Sequence, residues 1–487
     1  MSLQHSRVLV WASLLLLVAG VSSACLSYSD DEASAEPDVQ SPEDVEGSPD
    51  QDTSTEAPDA EVDVETPPDS DPTGGGVYGL ASCEDATALE GGYGPVGCGF
   101  FVEYDRAKRD ILPSCGQVSG EASAAPQHLH IAFGSADASR DMSFLWYTDA
   151  DTRVSEVRYG TSPESLDSVA YGVSFSYRDL LRVNPRVVHE VRICGLQPGT
   201  TYYYQAGGEG AWSPVHTFTT GLPVGSTQPY RFAVSGDTRN PTNEPWRDAL
   251  EAIEAQGVAF HIFSGDAVDV GGVQAQWDSW FDAAYPVLAS QPFMPANGNH
   301  ELFALNYKAA FALPGDGENY YFRYGNGLFI LVNDLPLPDY QAGVSGPVRE
   351  FLETTLREHA DATWKVIVHH RPMYSASTRH GSDFFLRETW APVLDRYGVD
   401  FVFAGHDHNY ERSAPMRNDQ VVRDGEGTVY VVAAGIGAPL YNNGTQAWTA
   451  FSAKVSSFVI VDVSENTFHM RAYRTDGTLL DEYRLTK

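Results

Sequence analysis

The sequence has few basic residues and lacks an apolar run long enough to cross a membrane. Lysine and arginine number 31 against 66 aspartate and glutamate residues, and the formal net charge is −35 at pH 7. A chain with this charge repels phosphate backbones, so we expect no nucleic acid partner bound through its phosphates. The apolar run at residues 8–21 has 14 residues, which is too short to span a bilayer.

Residues 1–24 are typical of an export signal, because a polar start and the apolar run at 8–21 precede small residues. Cys25 follows at once, so the segment also resembles a bacterial lipoprotein signal, although Ser22 stands where leucine is usual. We expect an exported protein, in the bacterial cell envelope or on the outer surface if Cys25 is lipidated. Without lipidation we expect it to be secreted or periplasmic.

Residues 25–76 form an acidic segment with almost nothing to bury. Seventeen of the acidic residues lie within 26–75, which contain no lysine or arginine. Such a segment cannot offset its chain entropy, and its like charges keep it extended. It is predicted to be a disordered linker between the N-terminus and the folded part of the chain.

Residues 77–125 carry three cysteines in a glycine-rich stretch whose structure the pattern does not predict. They are Cys83, Cys98 and Cys115. Cysteines at this density in an exported protein indicate a disulfide. The fifth cysteine, Cys194, lies in an apolar strand pattern that favours a buried thiol. One of the first three therefore stays unpaired or pairs with Cys194.

Residues 126–224 show short alternating strands separated by turn sequences. Strands are predicted at 128–133, 142–148, 154–159, 187–194, 201–205 and 215–219. Strands of this length over about one hundred residues predict an all-β sandwich. The segment has no cluster of catalytic side-chain types, so we expect it to be a scaffold.

Residues 228–487 alternate strands with helical patterns. Helices are predicted at 246–256, 347–360 and 383–397, and strands near Arg231, Ala259, Phe329, Trp364 and Asp400. The predicted fold is therefore multidomain: the sandwich is followed by an α/β domain of two packed sheets with helices outside, a four-layer αββα arrangement. Ligands in such domains gather at the carboxyl ends of strands.

Five segments of the second domain end in the same manner, with an apolar run that delivers Asp, Asn or His. They are residues 232–237, 260–266, 295–301, 366–370 and 401–408. Carboxylates, amide oxygens and imidazoles are ligands of divalent metals. Five such endings in one order are not expected from packing alone, so the pattern indicates a metal site.

These endings carry a family resemblance. GDTR (236–239), GDAVD (265–269), GNHE (298–301), HHRPMY (369–374) and GHDHNYER (405–412) together resemble the calcineurin-like metallophosphoesterases. More narrowly, they resemble the purple acid phosphatases. The earlier sequences VRYGTSP and LQPGTTYYYQAGG are similar to the fibronectin-III-like domain that precedes the catalytic domain in that branch.

The resemblance implies two metal ions per chain, of Fe, Zn or Mn, that share one carboxylate. The six ligand positions that it implies are Asp237 and His408 for one ion, Asn299, His370 and His406 for the other, and Asp266 as the bridge. Metal-bound hydroxide would then attack the phosphorus of a phosphate monoester, as in acid phosphatases.

Four further residues receive roles. His300 and His380 are predicted to stabilise the phosphate or protonate the leaving oxygen, because the resemblance places such histidines there. Arg239 and Arg371 are candidates to hold phosphate oxygens as bidentate donors. Arg371 has the alternative of supporting a neighbouring carboxylate, and Asp334, which follows a strand pattern, is predicted to be structural.

Two positions depart from the family pattern. Purple acid phosphatases place a tyrosine three residues after the bridging aspartate, where this chain has Asp269. The broader superfamily has a histidine two residues after the first aspartate, where this chain has Arg239. Two alternatives therefore stay open beside a monoesterase: a phosphodiesterase with the same ligands, and a cell-surface binding protein with a degraded metal site.

We predict that the purified protein has no purple charge-transfer band, because the tyrosine whose phenolate binds ferric iron is replaced by Asp269. A visible absorption spectrum of the protein as isolated measures this. A band that gives the purple colour would contradict the prediction.

Overall fold

The computed structural model of this chain describes residues 92–95, 97–100, 102–103, 108–113, 122–177, 179, 186–239, 242–301, 304–336 and 339–487. The predicted export signal, the acidic linker and the cysteines at positions 25, 83 and 115 lie outside the described residues. Among the residues that are described, no helix has the length and apolar character needed to span a membrane.

The N-terminal part is built from strands. These are β1 (Gly92–Tyr93), β2 (Val102–Glu103), β3 (Arg109–Pro113), β4 (Gln127–Ala132), β5 (Met142–Thr148), β6 (Glu156–Gly160), β7 (Ser168–Tyr171), β8 (Val173–Ser176), β9 (Val187–Ile193), β10 (Thr201–Gly208), β11 (Ala211–Trp212) and β12 (His216–Thr219). The sequence pattern did not predict β7 and β8.

Two five-stranded sheets form the sandwich. One has the order β3-β8-β9-β5-β4, and the other has β11-β10-β6-β7 with β12 also paired to β10. Strand β3 comes from the segment whose structure the pattern left open, and it adds an edge to the first sheet. A disulfide joins Cys98 to Cys194 with 4.9 Å between their Cα atoms, so the structure pairs Cys194 rather than leaving it as a buried thiol.

The second domain alternates strands and helices. Its strands are β13 (Tyr230–Ser235), β14 (Phe260–Phe263), β15 (Phe293–Pro295), β16 (Tyr320–Tyr324), β17 (Gly327–Leu331), β18 (Trp364–Val368), β19 (Phe401–Ala404), β20 (Tyr410–Ser413), β21 (Met416–Arg417), β22 (Gln420–Val421), β23 (Val429–Ala433), β24 (Thr449–Ala453), β25 (Ser457–Val463), β26 (Thr467–Arg474) and β27 (Leu479–Thr486). Its α-helices are α1 (Glu244–Glu254), α2 (Gln274–Ala284), α3 (Leu305–Ala310), α4 (Tyr340–Gly343), α5 (Arg349–Glu358) and α6 (Phe384–Tyr397).

The strands form two large sheets that pack face to face. A six-stranded sheet has the order β15-β14-β13-β25-β26-β27, and a seven-stranded sheet has β16-β17-β18-β19-β23-β20-β24. Aromatic rings fill the space between them: Phe232 meets Phe329 at 5.2 Å between ring centroids, and Phe401 meets Phe468 at 4.1 Å. The predicted arrangement of two packed sheets with helices outside is confirmed.

Helix α6 shows how the sequence sets the outer layer. Asp383 caps its first turn by accepting a hydrogen bond from the backbone N–H of Leu386 at 2.9 Å, and Gly398 ends it in a left-handed conformation. Its buried face, which includes Trp390 and Leu394, packs in a cluster with residues of the seven-stranded sheet. Helix α6 therefore covers the outer face of the seven-stranded sheet.

The sandwich packs on the second domain through one continuous buried cluster. Two hydrogen bonds also connect the two domains. The hydroxyl groups of Ser143 and Tyr204 donate to the carbonyl oxygens of Ala312 and Ala289, both at 2.6 Å. Ala289 precedes β15 and Ala312 follows α3. The sandwich therefore contacts the six-stranded sheet near β15, the strand that Asn299 follows.

Candidate metal centre

The parallel strands of both sheets deliver polar residues to one edge. Strands β13, β14 and β15 run parallel in one sheet, as do β17, β18, β19 and β23 in the other. The chain turns sharply just after three of these strands, where Asp237, Asp266 and His406 have φ of 58°, 58° and 66°. Asp and His tolerate this left-handed region better than most residues, so the side chains leave the strand direction and point into the site.

Glycine is required where two loops touch. A Cβ at Gly298 would lie 2.4 Å from the backbone N of Asp266, and one at Gly405 would lie 2.4 Å from Oδ2 of Asp237. No side chain fits at these distances. The glycines of the GNHE and GHDH sequences therefore let the loops approach closely enough to share one site.

Two groups of three ligand atoms result. The first trio is Asp237, Asp266 and His408, and the second trio is Asp266, His370 and His406; within each, the ligand atoms lie within 4.8 Å of one another. Asp266 belongs to both. Each trio combines carboxylate oxygen with imidazole nitrogen, a donor set that suits Zn, Mn or Fe.

The sixth predicted ligand lies beside the second trio. Oδ1 of Asn299 is 3.0 Å from Nε2 of His370, which is 3.3 Å from Oδ2 of Asp266. In the first trio, Nε2 of His408 is 3.3 Å from Oδ1 of Asp237. The structure thus brings all six predicted ligands together, in the division that the resemblance implied.

Two of the histidines have a fixed orientation. Nδ1 of His370 donates to the carbonyl oxygen of Ser264, and Nδ1 of His408 donates to that of Pro439, both at 2.7 Å. A carbonyl group only accepts, so Nδ1 carries the hydrogen and the lone pair of the neutral ring is on Nε2. In both residues that lone pair faces the site, as a metal ligand requires.

The electrostatics of Asp266 favour cations. Its side chain is 1% exposed; Oδ1 accepts from the backbone N–H of His300 at 2.8 Å, while Oδ2 has no hydrogen-bond partner among the described residues. Burial alone would raise the pKa of Asp266, but the neighbouring charges of His370, His300 and Arg239 hold that pKa well below its usual range. Oδ2 faces two nitrogen atoms instead, Nε2 of His370 at 3.3 Å and Nε of Arg239 at 3.5 Å, so this buried carboxylate turns one oxygen toward positive charge, as a bridging ligand would.

His370 carries the matching shift. Burial opposes the charged ring, but the Asp266 carboxylate outweighs burial and raises the pKa of His370 to about 10. The carboxylate therefore favours a proton on His370 as long as no metal ion is bound, even with the guanidinium of Arg239 nearby. A metal ion must displace that proton, so these residues fit a metal whose binding releases a proton.

Comparisons with known proteins agree with this geometry. The N-terminal domain of purple acid phosphatases matches residues 126–220, and the calcineurin-like phosphoesterase domain matches residues 230–410. Purple acid phosphatase 21 of Arabidopsis thaliana is 31% identical, over 63% of this chain and 70% of its own length. Human acid phosphatase type 7 is 30% identical, over 62% of this chain and 74% of its own length.

The chain belongs to the purple acid phosphatase family. The solved structure of purple acid phosphatase PPD1 from yellow lupin seeds has the same fold, with a TM-score of 0.67 and 19% identity over 74% of each chain. A structure of PhoD, at 14% identity, covers 76% of this chain and 92% of its own with a TM-score of 0.54. The chain is therefore a metal-dependent phosphoester hydrolase, and the family implies a dinuclear metal centre.

Purple acid phosphatases act on phosphate esters, and His300 and His380 flank the site where such a group would bind. Nδ1 of His300 contacts the backbone oxygen of Asp269 at 2.7 Å, which fixes the ring. The ring of His380 lies 4.3 Å from that of His406. Partial desolvation, together with the charges of neighbouring residues such as Arg379, lowers the pKa of His380 to about 4.

The two predicted phosphate-binding arginines have different surroundings. Arg239 lies inside the ligand cluster, where Nη2 is 3.0 Å from Nε2 of His408. Arg371 is turned to carboxylates instead, since Nη1 is 3.1 Å from Oδ2 of Asp383 and Nε is 3.5 Å from Oδ1 of Asp334. Arg371 therefore pairs with neighbouring carboxylates, which was the alternative role expected from the sequence.

The carboxylates of Asp334 and Glu301 fix the loops that carry the ligands by accepting hydrogen bonds from backbone N–H groups. Asp334 accepts hydrogen bonds from the backbone N–H groups of His370, at 2.9 Å, and Arg371. Glu301 accepts from the backbone N–H groups of Asp266 at 2.9 Å, Ala267 at 2.8 Å and Gly298 at 2.7 Å. No role was predicted for Glu301 from the sequence. Its place directly after Asn299 and His300 could have indicated that it supports the metal ligands.

A loop anchored by Asp407 carries His380. Oδ2 of Asp407 accepts from the hydroxyl group of Ser375 at 2.6 Å and from the backbone N–H of Gly381 at 3.2 Å. Asp407 lies between the ligands His406 and His408, so one turn of chain positions both metal ligands and the second flanking histidine.

We expect Glu301→Gln to weaken metal binding roughly 10–100-fold, the range found when groups that orient metal ligands are lost. Glutamine offers one oxygen to three backbone N–H groups, and its NH₂ group repels the donor that it faces. Metal affinity measured by calorimetry with Zn²⁺ tests this. Glu318→Gln, in a partly buried acid that pairs with Lys308 at 3.2 Å, is the matched control. Equal affinity in the two variants would contradict the role of Glu301.

Proposed function

We propose that this chain is an exported phosphatase that hydrolyses phosphate monoesters at a centre of two metal ions. The observation that carries the proposal is the buried Asp266 carboxylate, which is common to both trios. Two cations can lie close together only if an anion between them reduces their repulsion. Asp266 has the position and the charge for that purpose.

The metal ions supply Lewis acidity and a bound water whose pKa is lowered toward neutrality. This chain's residues supply position and charge. Asp237 and His408 would hold one ion, Asn299, His370 and His406 would hold the other, and Asp266 would be shared between them. A phosphate monoester carries two negative charges near pH 7. The two ions and the adjacent guanidinium of Arg239 complement that charge better than they complement the single charge of a diester.

His300 is the candidate proton donor to the leaving oxygen. Its Nδ1 hydrogen is held by the carbonyl oxygen of Asp269, and Nε2, which accepts from Nη1 of Arg239 at 2.7 Å, becomes the atom that can carry the transferred proton once that guanidinium moves away. His380, next to His406, lies on the other side and can donate a hydrogen bond to a phosphoryl oxygen. These two roles follow from position beside the ligands: Nε2 of His300 is 3.9 Å from Oδ2 of Asp266, and the ring of His380 lies 4.3 Å from that of His406.

Export is supported by the N-terminal sequence and by one covalent bond. The disulfide between Cys98 and Cys194 is the kind that persists in oxidising compartments. The acidic linker would then separate an anchor at Cys25 from the folded domains. Attachment through a lipid on Cys25 is part of the proposal, and mass analysis of the mature N-terminus decides it.

We expect the purified protein to hydrolyse p-nitrophenyl phosphate with added Mn²⁺, Zn²⁺ or Fe ions and to hydrolyse the bis ester much more slowly. Metal analysis should find two ions per active chain, and Asp266→Asn should lose both metal and activity. Asp476→Asn, in an exposed turn far along the chain, is the control. Preference for the bis ester would favour the phosphodiesterase alternative, and activity without metal would contradict the proposal.

We expect His300→Asn to lower kcat by about 10²–10⁴-fold, the usual contribution of a positioned proton donor. The loss should be larger for phenyl phosphate than for p-nitrophenyl phosphate, because the more basic leaving oxygen depends more on protonation. His359→Asn, in a histidine whose ring centroid lies 4.7 Å from that of Tyr321, is the matched control. A loss that is equal for both substrates would show that His300 acts through binding alone.

A further inference from the structure

Arg239 lies among the ligands of the first trio. Nη2 is 3.0 Å from Nε2 of His408, Nε is 3.5 Å from Oδ2 of Asp266, and Nη1 is 2.7 Å from Nε2 of His300. Nη1 is also 3.2 Å from Oδ1 of Asp269. The side chain is only 12% exposed. The guanidinium is therefore an internal part of the site.

The contact with His408 uses an atom that a metal ion needs. Nδ1 of His408 donates to Pro439, so Nε2 offers a single lone pair. In the structure that lone pair faces an N–H of Arg239. A lone pair can accept a hydrogen bond or bind a metal ion, and it cannot do both.

The second trio has different neighbours. Nε2 of His370 faces oxygen atoms, Oδ2 of Asp266 at 3.3 Å and Oδ1 of Asn299 at 3.0 Å. The arginine that follows it, Arg371, is held by Asp334 and Asp383. The guanidinium of Arg239, by contrast, is permanently charged, is tethered to the chain and points at the ligand atom of His408.

We propose that Arg239 is a built-in cation that competes with a metal ion for the first trio, so that this ion binds only when the guanidinium moves away. The proposal rests on the proposed two-metal function and concerns how that centre is filled. The guanidinium reaches the second trio through the shared Asp266 carboxylate, at 3.5 Å, whereas in the first trio it also occupies the lone pair of His408, so the ion of the second trio meets weaker competition. Occupancy of the two positions is therefore unequal in the wild-type chain.

Asp269 gives the displaced guanidinium a place to go. Its carboxylate is 66% exposed and already contacts Nη1 of Arg239, so a small rotation toward solvent keeps one ion pair while it frees His408. A phosphate group bound at the metal ions would offer the same guanidinium oxygen acceptors on that side. Phosphate and the first-trio ion should therefore strengthen each other's binding through Arg239.

The test is Mn²⁺ binding to the full chain after chelator treatment, followed by equilibrium dialysis with metal analysis and by electron paramagnetic resonance of the spin-coupled pair. We expect Arg239→Met to strengthen the weaker site about tenfold or more, the scale of one hydrogen bond to a charged group. Arg387→Met is the matched control, since Arg387 is also 12% exposed but pairs with Asp419.

A second variant, Asp237→Asn, tests whether the change in metal affinity arises at the first trio. In Asp237→Asn, where the first trio is disabled, adding Arg239→Met should change the remaining site much less. Inorganic phosphate should tighten the weaker site of the wild-type chain more than that of Arg239→Met. Equal affinities at both wild-type sites, or an unchanged weaker site in Arg239→Met, would overturn the proposal while phosphatase activity stands. A wild-type chain that binds no Mn²⁺, Zn²⁺ or Fe would overturn both this proposal and the proposed function.

Discussion

The site depends on one buried carboxylate that keeps its charge. Taking an ionised group out of water costs several kcal/mol unless a partner compensates it. Asp266 meets that cost with cations: a protonated His370 and the guanidinium of Arg239 in the metal-free chain, and metal ions in the proposed enzyme. Because one of its oxygens is fixed by the N–H of His300, the fold directs the other oxygen, and the cations that it attracts, to one point.

That point exists only when the whole second domain is folded. Asp237 and His406 are 169 residues apart in sequence, yet the backbone N–H of His406 donates to both oxygens of Asp237, at 3.0 and 3.1 Å. The contact joins the ends of β13 and β19, which belong to different sheets. Packing between the sheets, through rings such as Phe401 and Phe468, therefore sets the distances within the site. Damage to that core should reach the ligands before it unfolds the chain, because cores transmit small displacements.

Much of this arrangement could be predicted from sequence because the ligands follow a simple rule. Each lies just past an apolar strand, and the carboxyl ends of parallel strands share an edge, so position along the chain implied position in space. Helix α2 escaped prediction although Trp277, Trp280 and Phe281 have the i, i+3, i+4 spacing of one buried face, because no capping residue marks its start: Val273 precedes it and makes no side-chain cap hydrogen bond. The partner of Cys194 could not be predicted either. Pairing depends on the position of Cys98 in space, and Cys98 lies in a segment whose sequence has no periodicity that would predict its path.

The roles of the charged residues around the ligands were the least predictable, because they depend on side-chain direction. Arg371 and Arg239 each come directly or shortly after a ligand, and both were candidates to bind phosphate, with support of a carboxylate as the alternative for Arg371. In the structure one is neutralised by Asp334 and Asp383, and the other reaches His408. No periodicity distinguishes them, since the difference lies in which carboxylate the turn brings within reach.

Asp269 shows how two departures from the family pattern belong together. Its backbone oxygen holds Nδ1 of His300, a contact that any residue at this position would keep, whereas its carboxylate reaches Arg239. The exchange of tyrosine for aspartate therefore acts on the guanidinium and leaves the orientation of His300 alone. Arginine at 239 adds a positive charge to a cluster that must also bind cations, and the carboxylate at 269 offsets part of that charge from the solvent side. The two departures therefore form one ion pair, 3.2 Å between Nη1 of Arg239 and Oδ1 of Asp269, at the entrance to the ligand cluster.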